Sequence, residues 1–164
     1  MPASYEEHDM KIRTLALAAL AVCTALPALA DEYGKHPFYL HAISDLQAAA
    51  WQADHRRSED ARISDDEIVV RNEIGAAIGD LQHAAWQDGK SGHWSPPPDV
   101  ALPREGRLHA TLDLLRKAHA DVAREEDDPR SRPFQQRGLA HVDAALNAAQ
   151  HAIGEVRHRN DRRE

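Results

Sequence analysis

Histidines give this sequence its widest chemical reach. Eleven occur in 164 residues, and ten of them follow residue 30. Neutral imidazole is the commonest protein ligand for zinc, copper and nickel, so the question is which histidines can converge. His41 with Asp45, and His109 with Asp113, are four residues apart. On a helix that spacing puts both side chains on one face, where they offer two ligands to one ion or form a solvated polar pair. His119 falls on an apolar stripe between Leu115 and Val122, where an imidazole must be hydrogen-bonded or a ligand. His109 and His141 border their stripes, whereas His41, His83 and His151 point away from theirs. The candidate ligand set is therefore His41, Asp45, His109, Asp113, His119 and His141, and the metals suiting it are copper, nickel or zinc.

Other chemistry leaves fainter marks. Glu155-Val156-Arg157-His158 has the Glu-x-x-His spacing of di-iron bundles but sits at the end of a helix. Asp80-Leu81-Gln82-His83 is a near match that faces outward. The sequence has no phosphate-cradling glycine loop, nucleophile elbow or His-Glu-x-x-His. The run 124–128 is acidic at a helix end, where it opposes the dipole, and reads as a solvated terminus or a weak cation site. No catalytic constellation emerges, and the expectation is a protein that is not an enzyme.

The N-terminal stretch reads as a secretory signal. Lys11 and Arg13 precede an apolar run over 15–26, Pro27 breaks it, and Ala28-Leu29-Ala30 gives a small-x-small cleavage pattern. Met10 directly precedes Lys11, so residues 1–9 read as an upstream start. Cleavage after Ala30 predicts a mature chain from Asp31 in the periplasm or outside the cell, without a transmembrane anchor. It would also remove Cys23, the only cysteine, and both methionines. Disulfides, thiolate ligands and Met-ligated haem would go with them. Leu20-Ala21-Val22-Cys23 partly resembles a lipobox, so acylation at Cys23 is the rival reading. The mature chain would keep 18 Lys and Arg against 24 Asp and Glu. That acidic balance argues against a nucleic-acid partner, which requires a concentrated basic face.

Four helices must position whatever site exists. Apolar spacing predicts the first from Pro37, with Leu40, Ile43, Gln47, Ala50 and Asp54 along one side and Trp51 beside them. The second opens on a capping box, Ser64 with Glu67, and runs through Ile74, Ile78, Leu81 and Ala85 to Gly89. An extended crossover with Pro96-Pro97-Pro98 follows. The third spans 103–126 on Leu108, Leu112, Leu115, His119 and Val122. The fourth opens at Pro133 and carries Leu139, Val142, Leu146, Ala149, Ile153 and Val156, with a charged tail fraying after Arg157. Four amphipathic helices and no period-two alternation predict an all-α, antiparallel four-helix bundle over 31–158, followed by a tail over 159–164. An internal repeat lies inside it: residues 42–52 recur as 77–87 at an offset of 35, differing only at Ser44/Gly79 and Ala48/His83. The two tryptophans it carries, Trp51 and Trp86, read as packing residues.

Gly34-Lys35-His36-Pro37-Phe38-Tyr39-Leu40-His41-Ala42-Ile43-Ser44-Asp45-Leu46 resembles a group of exported bacterial proteins of unknown function, with Gly106-Arg107-Leu108-His109 and His141-Val142-Asp143 adding to the likeness. More distantly, the histidine-bearing, alanine-rich helices are similar to the small histidine-rich metal-binding protein of bacterial periplasm, which is denser in histidine and more regular in its repeats. These resemblances imply an exported helical bundle and, from the second, a metal ion as ligand. Two functions follow as expectations: divalent-metal binding through the six residues above, or a metal-free periplasmic interaction or acid- and stress-response module, with a protein partner or a second copy of itself as its partner. In the second, protonating ten imidazoles would reverse the charge and loosen the bundle in mild acid.

Overall fold

A computed structural model describes residues 37–55, 63–90 and 102–163. The stretch read as a signal, Cys23, His36, His93 and the triple proline lie outside them. The described chain is all-α: α1 (Tyr39–Asp54), α2 (Asp65–Gln87), α3 (Arg104–Val122) and α4 (Arg132–Asp161). Each packs on two others; α1 and α4 share α2 and α3 as neighbours, leaving α1–α4 and α2–α3 as the diagonals.

The helix ends follow from local chemistry. Ser64 and Glu67 form the predicted capping box at the start of α2. At its other end Gly89 takes φ +68°. The Gly89 amide then reaches the Trp86 carbonyl at 3.0 Å, and the Lys90 amide the Ala85 carbonyl at 2.8 Å, a Schellman closure that needs the left-handed residue. Helix α3 is shorter than its predicted 103–126. Gln135 of α4 donates to the carbonyls of Val122 (2.8 Å) and Arg124 (2.7 Å), freeing the chain to leave the helix. Glu126 then turns inward to accept from the Tyr39 hydroxyl at 2.5 Å. Helix α4 is longer than predicted: His158 and Arg159 suit its negative end, and Arg162 donates to the His158 carbonyl at 3.2 Å.

Long-range polar contacts fix which ends meet. Tyr39 with Glu126 joins the start of α1 to the end of α3, while Arg107 donates to the Gln52 carbonyl at 3.1 Å at the other end of that pair. Ser131 donates to Asp88 at 3.1 Å, joining the start of α4 to the end of α2. Arg157 meets Glu105 at 3.3 Å, joining the end of α4 to the start of α3. So α2 ends and α3 begins at opposite ends of the bundle; the predicted crossover between them lies outside the described residues.

The core stripes differ in detail from the predicted ones. In α1 the buried residues are Tyr39, Ala42, Ile43, Leu46 and Ala49, with Leu40 and Ala50 only partly covered. The stripe turns about one residue because α1 serves two neighbours, α2 and α3, and tyrosine reaches the core by spending its hydroxyl on Glu126. In α3 Ala118, not His119, lies between Leu115 and Val122. The two repeat copies occupy matching places: Ala42, Leu46 and Ala49 are buried like Ala77, Leu81 and Ala84. Gly138 of α4 lies against Leu81; a Cβ there would stand 2.7 Å from a Leu81 methyl and 3.1 Å from its Cγ. Close approach of α4 to α2 depends on that missing side chain.

Candidate functional site

The structure distributes the six candidate ligands over separate places. His41 is exposed and lies near the Phe38 ring, 5.5 Å between centroids. Asp45 shares its helix face, and burial pushes its carboxyl above the usual range; Lys117 and His41 oppose that rise and Asp121 adds to it. Asp113 is exposed and paired with Arg116 at 3.1 Å. His109 lies between Glu105, 3.8 Å away, and the Arg157 guanidinium at 3.2 Å. His119 is not the core histidine of the stripe reading: its side chain is 38% exposed and meets Asp143 of α4 at 3.3 Å. His141 spans the α2–α4 seam, with Nδ1 2.6 Å from Glu73 and Nε2 3.9 Å from Asp80. Each half-buried imidazole thus has a carboxylate beside it. Among the described residues, no three His, Cys, Asp or Glu side chains form a group able to hold a metal ion.

A different constellation appears where α2 ends and α4 begins. The Trp86 side chain stands out from the surface, with the residue 71% exposed, so packing does not account for it. One turn earlier, His83 stacks flat on Phe134 of α4, centroids 5.3 Å apart and planes within 8°. Arg137 covers the same Phe134 ring at 4.7 Å. Gln82, His83 and Trp86 line a shallow cleft of about 240 Å³. The Gly89 closure fixes the last turn of α2, and the His83 Nδ1 lies 2.8 Å from the Gly79 carbonyl, so this face is held in shape before anything binds.

Charge is arranged unevenly on this end of the molecule. Arg137 pairs with Asp80 at 2.7 Å, the guanidinium 52% exposed and the carboxylate only 16%. Arg130 and Asp128 repeat the pattern at 3.0 Å, 69% against 14%. In both pairs the cation is more exposed than its carboxylate, and Arg137 is the one that lies over the Phe134 ring.

Ligand spacing in the sequence does not mark this group. The repeat holds part of the signal: His83 is one of two positions where the second copy departs from the first, standing where Ala48 stands. Phe134 and Arg137 have no such marker, since they join the group only once α4 is laid on α2. No family model, curated protein or solved structure matches the chain.

Proposed function

We propose that the chain is an exported, non-catalytic helical interaction module that docks a protein partner on the Trp86–His83–Phe134 face. The observation carrying this reading is the exposure of Trp86 beside a stacked His–Phe pair on rigid helices. Tryptophan, aromatic rings and arginine are the residues in which binding energy concentrates at protein interfaces. The outward Arg137 guanidinium selects the occupant: a segment presenting an aromatic or aliphatic side chain for the cleft, with a carboxylate next to it. The signal-like N-terminus and the resemblance over 34–46 support export.

Panning a displayed library of random twelve-residue peptides on the purified chain tests the reading. The expected result is an enriched consensus with an apolar residue flanked by Asp or Glu, competed away by excess free peptide. Absence of a consensus contradicts it. Metal binding through His41, Asp45, His109, Asp113, His119 and His141 is the competing function. A stoichiometric copper, nickel or zinc ion with a melting shift of several degrees would favour it, because a ligand bound to the native state stabilises that state.

A further inference from the structure

At the other end of the bundle, Ile63, Ser64, Arg104, Arg159 and Arg163 line a cleft of about 530 Å³. The volume lies in the range of small-molecule sites. Its chemistry is unlike the rest of this acidic protein. Arg104 is nearly buried and held by Glu67, its Nε donating to Oε1 at 3.1 Å and its Nη2 to Oε2. That clamp fixes the Arg104 guanidinium plane and neutralises its charge. Arg159 lies in the last turn of α4 and Arg163 just past its C-cap, and no ion pair among the described residues joins either to a carboxylate. The Ser64 hydroxyl is spent on capping α2, since it accepts from the Glu67 amide. Among the described residues, the cleft therefore offers two guanidiniums without a carboxylate partner and a third fixed one.

We infer that this cleft binds a small phosphoryl anion, a pyrophosphate or a doubly charged phosphate ester. Guanidinium forks match phosphoryl oxygens in pairs, and a doubly charged anion answers the charges of Arg159 and Arg163. Helix-end arginines also favour the negative terminus of α4 without any ligand. That role places no demand on where the side chains converge, whereas here they meet a third arginine from α3 around one cleft. The inference is independent of the aromatic face and its partner.

The test is calorimetric titration of the purified chain with inorganic pyrophosphate at about 0.15 M salt, beside Arg159→Ala/Arg163→Ala and an Arg162→Ala control. Arg162 lies on the same terminus but outside the cleft lining, so the control also removes helix-end charge. Expected is saturable one-site binding, weakened about tenfold or more in the double variant, as loss of charge-assisted hydrogen bonds implies, and little changed in Arg162→Ala. All variants should keep wild-type helicity. No saturable binding to the wild-type chain overturns the inference, and so does equal weakening by Arg162→Ala, which would reduce the effect to general charge. Vesicles of phosphatidylglycerol form a second arm: binding to them without binding to free pyrophosphate would assign the arginines to a membrane surface and overturn the small-anion site.

Discussion

Tyr39 and Glu126 form a buried polar contact that ties the loop after α3 to the rest of the bundle. Burial, and then the Glu126 carboxylate, push the Tyr39 hydroxyl far above its usual range, which favours the protonated form that donates to Glu126. Tyr39→Phe removes a hydrogen bond to a charged acceptor and should cost about 1.5–3 kcal/mol, read by urea unfolding. Glu67 behaves in the opposite sense. Burial by itself would raise its carboxyl, but Arg104 and the Ser64 amide together bring it below its ordinary 4.5. A carboxyl depressed in the folded state contributes stability that is full above its unfolded value and is lost as pH falls through the folded one. The acid limb of the unfolding curve, below about pH 4.5, should therefore flatten in Glu67→Gln, which should also be less stable than wild type at neutral pH.

At the scale of helices, residue types alone make much of the fold legible. The capping box at Ser64 and the stop at Gly89 follow from preferences that act locally, and α2 has nearly its predicted bounds. The misreadings arise where the deciding partner is distant in sequence. Helix α3 ends early because Gln135, on another helix, satisfies its last carbonyls. Ala118 lies inward at the place assigned to His119 because α3 packs on both α1 and α4, and Asp143 of α4 meets His119 at the border. The metal-ligand pairs follow spacing along single helices, and that spacing says nothing about which imidazoles meet across a seam. The repeat has predictive force beyond packing: the alanines and leucine its copies share mark the core, and its departure at His83 marks the exposed face. Gly138 is the element-scale counterpart, since the α2–α4 seam closes over a missing Cβ. Gly138→Val should destabilise the bundle by about 1–3 kcal/mol, because Leu81 is fully buried and has nowhere to retreat; thermal unfolding by circular dichroism measures it.

For the whole molecule, three half-buried imidazoles lie beside carboxylates: His109 by Glu105, His119 by Asp143 and His141 by Glu73. The expectation that mild acid loosens the bundle is checked by dye binding: uptake near pH 6 would support it, and native helicity without dye binding down to about pH 5 would contradict it. Export has its own check: amino-terminal sequencing of the mature protein should begin at Asp31, and acylated Cys23 would replace that account with a lipid anchor. The central claim is docking on the aromatic face, and Trp86→Ala tests it most directly through melting temperature and affinity for the peptides enriched by panning. A side chain left so exposed buries little, so the variant should melt within about 2 °C of wild type while its affinity falls at least about tenfold. A variant that binds as tightly as wild type, or that loses binding only because it unfolds, would contradict the account.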